Sequence, residues 1–348
     1  MKYHRENVPT LSKPSKKEEI TRILASSLRP VFASFPEDLG KLEEIRLRIH
    51  QPLAVTWASE GRFLSDTGCF CEREEAHMVT MEELRETMSY LSNYSRYAFE
   101  DKIRQGFLTI QGGHRVGLCG RAVLEIGATM ANATTLMGET LPAGTVKTIS
   151  PITFMNIRIA RQLPGCGRQV LPRLWENGVL QDTLVVSPPG LGKTTLLRDL
   201  IRLLSQNHVV GVVDERSELA ACHQGIPQND LGPCTDVLDG CPKAEGMMML
   251  VRTMAPQVIA VDEVGGSEDC QAVEYAMNCG CRILATVHGS DWDELCCRPV
   301  FGRWMAEGRF GRYVFLEREE NMICYRVCDR QGKTLWRGLR GGGDGCKG

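Results

Sequence analysis

A chain of 348 residues exceeds what one hydrophobic core usually supports, so a large domain and a smaller one are expected. Its 43% hydrophobic and 24% charged residues match an ordinary soluble globular protein and exclude a largely disordered one. The formal net charge of -2 gives no basic field to hold a polyanion without sequence preference, so no direct nucleic-acid binding is expected.

In chain order, residues 1–15 are polar and Pro-containing, and the opening MKYHRENVPTLSKPSKKEEI has no apolar core that would serve as a signal peptide. Ile20, Ile23, Leu24, Leu28 and Val31 recur at helical spacing and predict one helix over residues 18–31. Glu44 to Ile49 alternates as a half-buried strand does, and a second helix is expected from Met81 to Ser92. Phe107 to Leu118 reads as two strands turning at Gly112-Gly113, and Asn156 to Ala160 as another strand, so residues 1–160 are expected to form a small α+β N-terminal domain. Leu163-Pro-Gly-Cys-Gly then punctuates the chain and is read as a linker.

From there the pattern changes. Apolar runs at Thr183–Val186, Val209–Val213, Val258–Val261 and Arg282–Val287 alternate with helical stretches, which predicts an α/β domain over residues 161–340, its mostly parallel sheet covered on both faces. Active groups belong at the carboxyl ends of such strands. The Gly-rich residues 341–348 are expected to be a flexible tail. The most apolar stretch, Gly246 to Val261, is broken by Arg252 and Pro256, so no transmembrane segment is expected and the protein reads as cytoplasmic. The fifteen cysteines read as mostly free thiols, because a long chain without an export signal is expected in a reducing compartment, and pairs such as Cys69/Cys71 and Cys324/Cys328 lack the two-residue spacing of zinc clips, so no bound zinc is expected.

The strongest chemical signal follows the Thr183–Val186 strand. Ser187-Pro188-Pro189-Gly190-Leu191-Gly192-Lys193-Thr194-Thr195 opens the helical stretch Leu196–Leu204 and has the form of a Walker A loop, with Ser187 where the consensus has its first glycine. Backbone N–H groups would close around phosphates, Lys193 would reach the β/γ oxygens and Thr194 would ligate Mg²⁺. The apolar strand Val258–Val261 ends in Asp262, which would hold the metal through water, and in Glu263, placed to orient or deprotonate an attacking water. ATP and Mg²⁺ are the cofactors this implies, with Glu263 and Lys193 as catalytic residues. His288 ends the next strand, either contacting a γ-phosphate or lying on the surface. Asp214-Glu215-Arg216 ends another, either managing metal and water or forming a solvated turn. Arg115, Arg121, Arg158 and Arg161 are candidates for a finger acting on a neighbouring subunit's ATP, on the expectation that they lack partners in their own chain. Met247–Met249 reads as flexible core packing.

Taken together, these residues resemble the stage III sporulation protein AA family, relatives of type II and type IV secretion ATPases. The resemblance runs through Leu42–Ile49, Gly112 to Leu118, Asn156 to Arg161, the Lys193 loop, Val212 to Cys222, Asp236 to Met249 and Val261 to Gly265, roughly residues 20–330. It implies a RecA-like P-loop core behind the smaller α+β domain, with Asp214-Glu215 as an acidic box and Thr286-Val287-His288 as a histidine box. It also implies a homohexamer at the mother-cell face of the outer forespore membrane, docked on membrane proteins of a channel complex that it energises. Asp262-Glu263 departs from the Gly-Glu of many secretion ATPases. A RecA-like nucleic-acid motor is the alternative, which the charge opposes. A scaffold without turnover sits poorly with the set Lys193, Asp262 and Glu263, and a GTPase would need an Asn-Lys-x-Asp motif that the chain lacks.

Overall fold

The structure is a computed structural model that describes residues 16–91, 106–126, 144–320 and 322–341. The expectations for residues 1–15 and for the tail after Gly341 lie outside the described residues. The chain divides into two compact units, Met1–Ala160 and Arg161–Gly348.

In the first unit, helices α1 (Lys16–Ile23), α2 (Leu28–Ala33) and α3 (Met81–Leu91) accompany a sheet. Its strands are β1 (Leu42–Arg48), β2 (Ala54–Trp57), β3 (Glu60–Leu64), β4 (Phe70–Cys71), β5 (Phe107–Thr109), β6 (Arg115–Ile126) and β7 (Gly144–Arg158). They are antiparallel throughout, in the order β4-β3-β2-β1-β7-β6-β5. Register sets the core: Ile45 and Val116 both stand opposite Ile157, and Leu47 and Leu118 both stand opposite Met155, so period-2 alternation sends one apolar row inward. Ile20, Leu24, Phe32, Leu84 and Met88 belong to the same core.

The single helix expected over residues 18–31 is two helices. A continuous helix would drive the Pro30 ring against the Ser26 carbonyl, and the break is stabilised by α3, whose Thr87 hydroxyl accepts the Ala25 N–H at 3.0 Å. Buried Glu83 is central here. It accepts from Ser27 Oγ at 2.7 Å and from Thr80 N at 2.9 Å, while Thr80 Oγ1 accepts from Glu83 N at 3.2 Å, which is a reciprocal capping box at the start of α3. His77 Nε2 adds a 3.0 Å contact. Burial raises the Glu83 carboxyl, but these bonds outweigh it and the net shift is downward. Burial likewise lowers His77, while Asp66 and Glu83 reverse it to a net upward shift. Glu83→Ala is therefore expected to destabilise this unit by about 2 kcal/mol, because it removes the buried carboxylate on which the bonds from Ser27, Thr80 and His77 converge. The Glu83 contribution should be present above its unfolded pKa and vanish as pH falls through its lowered folded value; that of His77 should fade as pH rises through its raised one. Urea titrations of the full chain at several pH values check this, and an unchanged midpoint for the variant contradicts it.

The second unit carries the hairpin β8 (Trp175–Glu176) and β9 (Val179–Leu180) and a larger sheet. Its strands are β10 (Thr183–Ser187), β11 (Val210–Asp214), β12 (Thr235–Asp239), β13 (Val258–Val261), β14 (Arg282–His288), β15 (Arg312–Glu319), β16 (Met322–Cys328) and β17 (Thr334–Leu339). Helices α4 (Lys193–Leu204), α5 (Lys243–Thr253), α6 (Ser267–Asn278), α7 (Trp292–Cys297) and α8 (Pro299–Ala306) complete it. Strand order is β12-β11-β13-β14-β10-β15-β16-β17, parallel from β12 to β15 and antiparallel through β16 and β17.

Both faces are covered. Val185, Val212, Ala260 and Leu284 pack with Leu196, Leu197 and Leu200 of α4, while Leu184, Val213, Ile259 and Ile283 pack with residues of α5, α6 and α8. Gly246 lets α5 approach β11, since a Cβ there would stand 2.6 Å from Val213 Cγ1. Of the methionine run, Met247 is buried as expected, but Met249 is 44% exposed, because consecutive helical residues cannot all face the core. The segment read as a linker is pinned instead: the Asp199 carboxylate of α4 accepts from Gly165 N at 3.0 Å and Gly167 N at 2.7 Å.

Candidate nucleotide site

The site forms where β10, β13 and β14 end side by side. All five residues of β10 are buried, and the chain leaves the sheet at Ser187, whose hydroxyl donates to Pro188 O at 2.7 Å. Pro188 and Pro189 lead into Gly190 and Gly192, whose φ values of 79° and 93° are left-handed, a conformation cheap only for glycine. Leu191 between them belongs to the α4 core. This turn delivers Lys193, Thr194 and Thr195 as the first residues of α4, with their backbone N–H groups at the positive end of the helix.

Lys193 is only 5% exposed, and its Nζ lies 3.1 Å from His288 Nδ1. Among the described residues no carboxylate lies within ion-pair distance of it. Burial lowers its pKa, opposed by the field of Asp262 and Glu263. An ammonium has no lone pair, so Nδ1 must accept and Nε2 carries the proton, which it donates to Glu263 Oε1 at 3.0 Å. Lys193, neutral His288 and Glu263 therefore form one hydrogen-bonded line.

Thr194 Oγ1 donates to Asp262 Oδ2 at 2.7 Å, and buried Thr286 donates to Asp262 Oδ1. Thr286 Oγ1 also accepts from Glu263 N at 2.8 Å. That bond holds Glu263 at φ 54°, a strained value for a residue with a side chain, which turns its carboxylate toward His288 and Arg216. The Arg216 contact is 3.3 Å long.

Asp214 and Glu215 stand in different surroundings. Asp214, at the end of β11, is 3% exposed and accepts from the N–H groups of Glu218, Leu219 and Ala220 at 2.8, 3.0 and 2.7 Å. Burial raises its carboxyl despite these bonds. Its oxygens shape a loop, leaving little capacity for a metal. Glu215 pairs with Lys243 Nζ at 2.6 Å, on the rim of a cleft shared with Arg216, Asp262 and Glu263. Arg198 of α4 fastens the same loop, donating to Leu219 O at 2.9 Å and Glu218 O at 2.6 Å.

The arginines also differ from expectation. In the first unit Arg158 lies 3.7 Å from Glu44 and Arg115 stacks 4.0 Å above Phe107, so neither lacks a partner, because antiparallel register sets these side chains beside their neighbours. Arg121 is exposed. In the second unit the Arg161 carbonyl accepts from Arg198 Nη1 at 3.4 Å.

A family model described as "Sporulation stage III, protein AA" matches residues 14–335. Stage III sporulation protein AA of Bacillus subtilis (strain 168) is 39% identical over 327 residues, covering 92% of this chain and 97% of the relative. The chain belongs to the stage III sporulation protein AA family. Among solved structures it is similar to the pilus retraction motor PilT with bound ADP, at TM-score 0.51 and 12% identity over 83% of this chain and 79% of the other. It is likewise similar to the ATPase DotB of Yersinia pseudotuberculosis, at TM-score 0.51 and 12% identity over 84% and 76% of the two chains. At such identity the likeness is one of fold, the α/β RecA-like core of secretion and motor ATPases.

In this family member, sequence reasoning missed Lys243, Arg198 and the bond from Thr286 to Asp262. Lys243 follows Pro242 at the start of α5, which was a legible helix signal, but its partner Glu215 lies 28 residues earlier. Among the described residues no helix is long and apolar enough to cross a membrane, the described cysteines are free thiols, and no cluster of three or more His, Cys, Asp or Glu stands ready for a metal.

Proposed function

We propose that this protein is a Mg-ATP hydrolase that drives a channel complex during sporulation. The carrying observation is Lys193, a buried cation at a helix N-terminus that faces the neutral nitrogen of His288 and lacks a carboxylate partner among the described residues. Burying a charge without a counter-ion is costly, and a phosphate oxygen would remove that cost. Thr194 and Asp262, already within hydrogen-bond distance of one another, are the pair that would hold the metal, directly and through water. Mg²⁺ held there would supply positive charge to offset that of the phosphates.

The chain's own residues supply the rest. Gly190 to Thr195 present N–H groups to the phosphates. When Lys193 turns to a phosphate it releases His288 Nδ1, whose lone pair is then free to accept from a water beside the γ-phosphate. Glu263 keeps the Nε2–H contact and takes a proton from water. Glu215, with Lys243, lines the cleft through which that water arrives. Purified protein is expected to release phosphate from Mg-ATP and to fail with EDTA present. A preparation that binds no adenine nucleotide in titration calorimetry contradicts the proposal.

Family membership supports a homohexamer on the mother-cell face of the outer forespore membrane, recruited by channel proteins that bind residues 1–160. Arg158 or Arg161 would complete a neighbour's site, and the 3.7 Å pairing of Arg158, whose side chain is 63% exposed, is weak enough to be given up. Arg158→Ala and Glu263→Gln subunits, each inactive alone, are expected to regain partial hydrolysis when mixed, where an intact finger meets an intact base. Light scattering with and without a non-hydrolysable ATP analogue follows assembly, and full activity in a strict monomer contradicts the ring.

A further inference from the structure

Arg340, directly after β17, is half-buried and its guanidinium lies against the phosphate loop: a Cβ built on Gly192 would stand 2.9 Å from its Nη1. Its main chain is fixed, with the N–H donating to Ile323 O of β16 at 2.8 Å. Neighbouring Arg337 is taken up by Glu317 and Glu319. No such pairing holds Arg340; among the described residues no carboxylate lies within ion-pair distance of its guanidinium, and its charge acts on the nearby Cys166 thiol and Tyr325 phenol. An arginine partly withdrawn from water without an acid partner, set against an anion-binding turn, is a fork of donors suited to phosphate.

Strand order fixes which phosphate it suits. Asp262, Glu263 and His288 end β13 and β14, on one side of β10, whereas β17 lies on the other side beyond β15 and β16. A triphosphate crossing the loop presents its γ end to the carboxylates and its α end to the opposite flank. Cys166 marks that flank, its Sγ 3.8 Å from the Thr195 carbonyl.

We propose that Arg340 is a nucleotide-binding residue that holds the α-phosphate end of the ligand within its own chain, at the part common to ATP and ADP. This rests on the nucleotide reading above. Calorimetry with Mg-ADP and with Mg-ATP on the full chain tests it. Arg340→Gln is expected to weaken both by about tenfold, the size of one lost charged hydrogen bond. Arg340→Lys, keeping the charge without the fork, should fall between. Should Arg340→Gln unfold in a thermal melt, Arg340→Lys decides alone. Unchanged ADP affinity in a folded variant overturns the proposal, as does a loss confined to ATP and accompanied by lower turnover, which would place the guanidinium at the γ-phosphate. If the wild-type protein binds neither nucleotide, the nucleotide reading itself falls; if it binds both and the variants bind equally well, only the role of Arg340 does.

Discussion

Glu263→Gln is expected to lower ATP turnover by about 10²–10⁴-fold, the usual worth of a positioned general base, while Mg-ATP affinity stays within a few-fold of wild type. The amide matches the carboxylate in size and can still accept the His288 Nε2–H, the contact that measures 3.0 Å in the native site. The backbone bond from Glu263 N to Thr286 is untouched, so the unusual φ should persist. What is lost is the capacity to take a proton and the charge that steadies a polarised water. Phosphate-release assays beside binding of a fluorescent ATP analogue separate the two effects. Hydrolysis at the wild-type rate would remove Glu263 from the mechanism and turn attention to Asp262 or Glu215.

Lys193→Ala should fail in a different way. Losing an ammonium that contacts phosphate oxygens should weaken nucleotide binding by about one to two powers of ten. The same change should leave the nucleotide-free fold as stable as wild type or slightly more so, because it removes a buried cation without a carboxylate partner, whose pKa burial already lowers. Loss of binding with an undiminished unfolding midpoint is a signature that general misfolding cannot produce. In cells, this variant is expected to reach the engulfing membrane if recruitment depends on residues 1–160, yet to block spore development. Normal sporulation with Lys193→Ala would show ATP use to be dispensable and end the motor reading.

Some features were legible in the sequence because they depend on neighbours along the chain. The Lys193 loop needs only a strand, two glycines able to take left-handed φ, and a helix start, all within about a dozen consecutive residues, and all are present. The buried strands β10, β11, β13 and β14 announce themselves as short apolar runs because both their faces are covered. By contrast, β12 at the sheet edge is only partly buried along its length, and β15 to β17 carry charged residues that pair across the strands, as Arg326 and Arg337 do with Glu317, so periodicity barely separates them from loop. The split of the first helix was hidden because Pro30 near a helix start is tolerable, and only the long-range bond from Thr87 shows where the break is stabilised.

The roles of individual charges were decided by tertiary structure alone. Asp214 and Asp262 look alike in sequence, each ending an apolar strand, yet three backbone N–H groups occupy the first while hydroxyls from α4 and β14 meet the second. Glu215 takes its partner from the start of α5, and Arg340 reaches Gly192 from the far end of the chain. A local pattern specifies which groups a segment offers, because backbone conformation is set over a few residues. Whether an offered charge is spent on the fold or left to meet a ligand depends on which distant atoms fill its hydrogen-bonding positions, and only the packing of the sheet determines that.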